Sequence, residues 1–141
     1  PVRAAVSAVR FPVRVYFEDT DFSGRVYHGA FVRFLERGRT EALRAGGIDH
    51  RALERRDPPL FFTLRGLAMT FHGPAFIDDL LAVETVPVEG GRAALLLDQR
   101  ILREEAAIVT ARVELCLIDR DGRPRRPPAD IRAALAPAGQ G

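Results

Sequence analysis

Hydrophobic and polar positions alternate strictly near the start of the chain. Over residues 9–17 the odd positions are Val9, Phe11, Val13, Val15 and Phe17, and the even ones are Arg10, Pro12, Arg14 and Tyr16. A period of two predicts a half-buried strand, and Pro12 places it at a sheet edge or a strand start. The strand stops at Glu18-Asp19-Thr20-Asp21-Phe22-Ser23-Gly24, which is turn chemistry. The period then changes. Ala30, Phe31, Phe34, Leu35, Gly38, Ala42 and Leu43 recur at helical spacing, with Arg33, Glu36, Arg37, Arg39, Glu41 and Arg44 between them. That pattern predicts an amphipathic helix of roughly 16–18 residues. Gly46-Gly47 ends it, since glycine takes the left-handed C-cap conformation. Gly38 lies on the apolar stripe and costs about 1 kcal/mol relative to alanine, so something such as a sheet is expected to pack very closely there.

Downstream, residues 49–56 suit a short second helix capped by Asp49, closed by Pro58-Pro59. Residues 60–72 read as a long strand interrupted at Gly66 and ended by Gly73-Pro74, and residues 80–88 as a further strand turning at Glu89-Gly90-Gly91. Within residues 92–103, Ala93, Leu95, Leu97 and Ile101 share one face; a turn near Glu104-Glu105 follows. The clearest alternation is Ala107, Val109, Ala111, Val113, Leu115 and Leu117, ended by Asp121-Gly122. A short helix is expected over residues 129–135. One long helix against five mainly antiparallel strands is an α+β layer architecture. A single domain over residues 9–136 is expected, with an N-terminal extension at 1–8 and a flexible tail at 137–141. Such a sheet cannot cover its own second face, so an edge or far face is expected to meet a second subunit.

Composition narrows the chemistry. The 141 residues include 21 basic ones, all arginine. Without lysine there is no Schiff base, phosphate-loop lysine or serine–lysine dyad. The only serines are Ser7 and Ser23, and Cys116 is the single cysteine, which excludes a disulfide framework and a cysteine-based zinc site. A reducing, cytoplasmic setting is expected. The longest apolar run is the five residues 93–97, whereas a membrane span needs about 20. Residues 1–10 lack the apolar stretch of a secretory signal. A net charge of +2, with no aromatic after Phe76, does not build a nucleic-acid face.

What remains is the stretch from residue 16 to 31, which sets carboxylates, a glycine, a tyrosine and a histidine between a strand end and a helix start. Helix N-termini offer unpaired N–H groups to an oxyanion, and a carboxylate just upstream serves as base or nucleophile. The competing reading is that these acids only cap the helix and complement its dipole. Asp19, across the turn from Asp21, is expected to cap or be solvated. Glu36, on the polar flank of the helix, is the second candidate carboxylate. Arg37 and Arg39 read as solvated-face charges within reach of Glu36 or Glu41. His50 reads as exposed, His72 as a packed or capping residue, and Cys116 as a structural thiol beside Arg112 and Glu114.

The run Asp21-Phe22-Ser23-Gly24-Arg25-Val26-Tyr27-His28 resembles the signature of the hot-dog-fold acyl-CoA thioesterases of the 4-hydroxybenzoyl-CoA thioesterase type. That signature is an aspartate, two residues, a glycine, a variable residue, valine, an aromatic, then histidine or tyrosine. The segments Val13-Arg14-Val15-Tyr16-Phe17-Glu18-Asp19-Thr20 and Phe34-Leu35-Glu36-Arg37-Gly38-Arg39-Thr40-Glu41 are similar to its YbgC-like branch, associated with the bacterial Tol-Pal system. Phe71-His72-Gly73-Pro74-Ala75 and Asp78-Asp79-Leu80 look like its later strands, so the resemblance spans residues 10–135. Gly38, where the family more usually has alanine, is a departure outside the motif.

The resemblance implies a hot-dog fold, one long central helix packed on a curved, mainly antiparallel five-stranded sheet. It implies a dimer, or a homotetramer made of two dimers, with sites at the dimer interface. It implies hydrolysis of acyl-CoA without metal or organic cofactor. Asp21 would act as nucleophile or general base, and the backbone N–H of His28 would polarise the thioester carbonyl. Gly24 would permit the tight turn, while Tyr27, the His28 side chain and Phe31 would shape the pocket. Arginines in turns, Arg92, Arg123, Arg125 and Arg126, are candidates for the coenzyme A phosphates. The alternative is a non-enzymatic module of the same fold that binds acyl-CoA or acyl carrier protein.

Overall fold

The structure, a computed structural model, describes residues 8–137. The extension expected over residues 1–8 and the tail expected over 137–141 therefore lie, but for Ala8 and Pro137, outside the described residues. The elements run β1 (Val9–Arg14), a 3-10 turn (Phe17–Asp19), α1 (His28–Ala45), α2 (His50–Glu54), β2 (Phe61–Phe71) and β3 (Leu80–Val88), then β4 (Leu95–Arg103), β5 (Ala106–Ile118), β6 (Pro124–Arg125) and α3 (Ala129–Ala134). The sheet order is β1-β3-β4-β5-β2, every neighbouring pair antiparallel. The two-residue β6, which the sequence pattern did not reveal, pairs with Leu117 and Ile118 where β4 no longer reaches β5.

The first strand is shorter than its alternation. Val15 is fully buried and its backbone still pairs with residues 78 and 79, but the Tyr16 N–H turns to the Asp19 carboxylate and Phe17 swings into solvent at 82% exposure. A local side-chain acceptor thus ends the strand three residues before the hydrophobic pattern does.

The break expected at Gly66 is a β-bulge between Leu64 and Gly66. It changes which parity faces inward. Phe62 and Leu64 lie opposite Leu117 and Leu115, whereas Leu67, Met69 and Phe71 lie opposite Val113, Ala111 and Val109, so all five share the face of β5's buried residues. β2 is a sheet edge, its far side unpaired among the described residues.

α1 spans 18 residues and packs mainly across β1, β3 and β4, touching β2 through Phe31 on Phe71. Its stripe Ala30, Phe31, Phe34, Leu35, Ala42 and Leu43 is buried against inward residues such as Val13, Val83, Leu97 and Ile101. The close approach expected at Gly38 is present. A β-carbon there would collide with Cγ1 of Val83. Two polar residues are also enclosed, Thr85 and Gln99, and Gln99 donates from Nε2 to the Leu35 carbonyl and to Thr85 Oγ1, both at 2.9 Å. These bonds tie helix to sheet inside the core.

Gly38→Ala is expected to destabilise the protein although alanine favours helix by about 1 kcal/mol. Overpacking typically costs about 1–3 kcal/mol, so the denaturant midpoint should fall; an unchanged or raised midpoint would show that α1 can lift off β3 freely.

Candidate active site

The chain from Tyr16 to His28 closes into a small knot at the start of α1. Thr20 bridges Val26, the Asp21 N–H donates to the Arg25 carbonyl at 2.8 Å, and the Gly24 N–H donates to the Asp21 carbonyl at 3.0 Å. Gly24 has φ +82°, the left-handed conformation this turn requires. The arm after the turn is anchored by Val26 N–H on the Ala75 carbonyl at 2.9 Å and by a bridge from Arg25 to Phe76. Tyr27 N–H reaches back to the Asp19 carbonyl at 3.3 Å. Residues 19–21 and 25–27 therefore run antiparallel up to the first turn of α1.

The three neighbouring acids have different surroundings. Glu18 is exposed. Asp19 is buried at 3% exposure; its Oδ2 accepts from Tyr16 N–H at 2.8 Å and its Oδ1 lies 3.9 Å from Arg33 Nη2. It caps the 3-10 turn and not α1, and its carboxylate is enclosed, not solvated. Asp21 is exposed, and its Oδ1 accepts both the Ser23 hydroxyl at 2.6 Å and the Ser23 N–H at 2.8 Å. Those bonds hold its carboxyl below the ordinary carboxylate value, the hydroxyl contributing most. No described hydrogen bond reaches Oδ2.

α1 begins at His28 with no capping side chain and no acid in its first turn. The N–H groups of His28 and Gly29 have no acceptor among the described hydrogen bonds outside the helix, so the positive end of the dipole is left open. The His28 ring is exposed and stands edge-on to Tyr27. Tyr27 is held from the helix: Arg33 Nη2 donates to its hydroxyl at 2.9 Å, and the guanidinium lies 5.6 Å from its ring centroid. Phe31 is in the core, edge-on to Phe34 and tilted against Phe71, and it is Phe71 whose ring is half exposed.

The arrangement thus brings Asp21, Gly24, Tyr27 and His28 together, with Phe31 one turn inside. The other candidates lie elsewhere. His72 closes the end of β2, its Nε2 2.8 Å from Thr110 Oγ1. His50, the first residue of α2, is exposed and stands edge-on to Phe62. Glu36 lies on α1 at the rim of a separate cavity. Arg39 is not a solvated-face charge: it is partly buried and donates to Gln99 Oε1 at 3.0 Å. Arg33 and Gln99 were not singled out in the sequence. Arg33 resembles every other polar-flank arginine there, and Gln99, set between Asp98 and Arg100, reads as one of three polar residues in a row.

A central helix with an open N-terminus, cradled by an antiparallel sheet and faced by a carboxylate turn, defines a hot-dog-fold protein of thioesterase type. The chain belongs to the thioesterase-like superfamily, which it matches over residues 15–135. It is 38% identical over 126 residues to the acyl-CoA thioesterase YbgC of Haemophilus influenzae, covering 89% of this chain and 92% of that one. It is 36% identical over 126 residues to the acyl-CoA thioester hydrolase YbgC of Escherichia coli O157:H7, covering 88% and 92%. Among solved structures it superposes on a probable thioesterase from Bartonella henselae with a TM-score of 0.83 and 42% identity, covering 86% of this chain and all of that one.

Arg33 clasps both arms of the turn, one through Asp19 and the other through Tyr27. Arg33→Met is expected to lower kcat for thioester turnover about tenfold, since misplacement of about 1 Å costs up to 10². Tyr27→Phe, which keeps the ring under the guanidinium, should cost less. Steady-state kinetics beside thermal melts check this, and equal losses in both variants would refute the two-armed clasp.

Proposed function

We propose that the protein hydrolyses acyl-CoA thioesters to free acid and coenzyme A, within a single domain over residues 9–136. The observation that carries this is an ionised Asp21 with Oδ1 tied to Ser23 and Oδ2 free, set beside the open N-terminus of α1. As a base, Oδ2 takes a proton from water, the hydroxide oxygen bonds to the carbonyl carbon, and the oxyanion is received by the His28 N–H. The C–S bond then breaks, and the sulfur takes the proton back from Asp21. As a nucleophile, Oδ2 itself bonds to the carbonyl carbon, expels the thiolate, and water cleaves the resulting anhydride. Either route yields one acid and one thiol and needs no group outside this chain.

The far end of coenzyme A calls for cations. Arg125 is engaged by Asp119 at 3.6 Å. Arg92, Arg126 and Arg132, with Gly90, Gly91 and Pro127, border a depression of about 530 Å³ lined by no acid. It lies past the C-terminal end of β3, whereas the Asp21 turn flanks its N-terminal end, and nine residues of strand separate them by roughly 30 Å. A homodimer formed by antiparallel pairing of the 11-residue β2 edges would bring one protomer's depression to the same end of the joined sheet as the other's turn. A dimer, or a tetramer of two such dimers, is the assembly this reading requires. No helix among the described residues is long and apolar enough to cross a membrane, and the free thiol Cys116 suits the reducing cytoplasm.

Asp21→Ala is expected to reduce thiol release from acyl-CoA by about 10²–10⁴ with little change in melting temperature; full activity in the folded variant would remove Asp21 from the mechanism. No release by the unmodified protein from short, long or aromatic acyl-CoAs would make it a binding module. Ser23→Ala removes the strongest donor to Asp21, so the carboxyl rises toward its ordinary value. The acid limb of kcat/KM, where activity falls as pH drops, should then move to higher pH. A limb that stays in place, measured from pH 3 to 7, would separate the rate from Asp21 ionisation.

A further inference from the structure

Between α1, α2 and β2 lies a cavity of about 250 Å³, bordered by Glu36, Arg39, Thr40, His50, Phe62 and Leu64. Sites for whole small molecules run to roughly 300–1,000 Å³, so this one is sized for part of a substrate. Arg39 is its unusual wall. The guanidinium is partly buried, and among the described residues it forms no ion pair. Its one described partner is neutral, the Gln99 amide oxygen at 3.0 Å.

Gln99 is fixed. Its nitrogen donates to Leu35 and Thr85 inside the core, so its oxygen must face Arg39. The guanidinium is therefore aimed, while its remaining N–H groups have no described protein acceptor. Burial pushes the Arg39 pKa down, opposed only by the charge of Glu36. Glu36 is exposed at the rim, where solvent screens it, whereas Arg39 sits deeper. A half-enclosed cation held by a neutral amide is stabilised when an anion arrives, and a carboxylate matches the planar fork of arginine.

We infer that this cavity receives the far end of the acyl group and selects acyl chains that end in a carboxylate, gripped by Arg39. The inference rests on the acyl-CoA reading above. Arg39 follows His28 by roughly three turns of α1, about 16 Å, and its side chain leans back toward the helix N-terminus. One helix thus serves the thioester at its start and the acyl terminus further along. Phe62, Leu64 and Leu115 offer apolar surface to the methylenes between.

The test compares kcat/KM for adipoyl-CoA and hexanoyl-CoA, equal in chain length and differing in the terminal carboxylate. Arg39→Gln should lower the adipoyl-to-hexanoyl ratio about tenfold or more, the scale of a lost hydrogen bond to a charged group. Glu36→Gln, which removes the rim repulsion, should raise the same ratio. A purely structural role would move both substrates together. Calorimetry of free adipate with the wild-type protein reads the site without hydrolysis, and binding should vanish in Arg39→Gln. Adipate binding without turnover of any acyl-CoA would defeat the hydrolytic reading and leave the site standing. Turnover of hexanoyl-CoA with no adipate binding and a ratio unmoved by either variant would overturn the site. Should Arg39→Gln fail to fold, Arg39→Lys and Glu36→Gln must still shift the ratio in opposite directions. A changed dimer dissociation constant with an unchanged ratio would assign Arg39 to a carboxylate of a second copy and overturn the proposal.

Discussion

The depth at which α1 sits on β3 governs the placement of the site. At Gly38 the helix backbone is so near Val83 that a single added carbon would collide with it. At that depth Gln99 reaches the Leu35 carbonyl while also bonding Thr85, so a buried donor pair finds both acceptors only in one helix position. Sliding or lifting α1 would strand polar groups in an apolar core, at a cost of about 1–3 kcal/mol each. The helix is thereby fixed along its axis as well as in height. Its first turn meets the Asp21 knot at a set distance, and the N–H groups of His28 and Gly29 face outward from a rigid support.

From that support, environment separates two carboxylates only two positions apart. Asp19 is enclosed beneath Arg33 and holds the chain. Asp21, on the outside of the turn, has one oxygen tied and one free. The helix dipole would favour either anion, so proximity to α1 alone does not assign the roles. Solvent access is what distinguishes them. An enclosed carboxylate engaged by backbone and guanidinium contributes order, whereas an exposed one with an unoccupied oxygen can meet a substrate.

Much of the fold was legible because its elements carry clean periods. The shift from period two to helical spacing between residues 17 and 30 located β1 and α1, and the glycine on the apolar stripe foretold a close neighbour. The bulge in β2 was visible as an interruption at Gly66, although its effect on inward parity needed the register of β5. The motif from Asp21 to His28 marked the turn that leads into the first turn of α1. What escaped was long-range polar chemistry. Arg33, Arg39 and Gln99 act through partners that are distant in sequence or on the next element, and neither hydropathy nor spacing distinguishes a guanidinium that clasps a loop from one that faces water. Phe17 escaped for the opposite reason: its position fits the alternation, but the Asp19 carboxylate captures the backbone first.

α1 lies mainly over β1, β3 and β4 and covers the inward face of β2 only in part, with Leu64 and Phe71 about half exposed. The short α2 and α3 close one end of the sheet with Leu53, Ile131 and Ala134, so the uncovered apolar surface is concentrated along β2. Arg39 stands at that boundary. For stability alone, a hydrophobic residue would serve better there, since a partly enclosed charge held by a neutral amide recovers little of its lost hydration. Gln99 does not neutralise the guanidinium; it orients it. An oriented, unneutralised cation next to uncovered apolar surface is complementary to a chain that is apolar along its length and anionic at its tip. The uncovered apolar face and the oriented cation thus lie side by side on the same edge of the sheet.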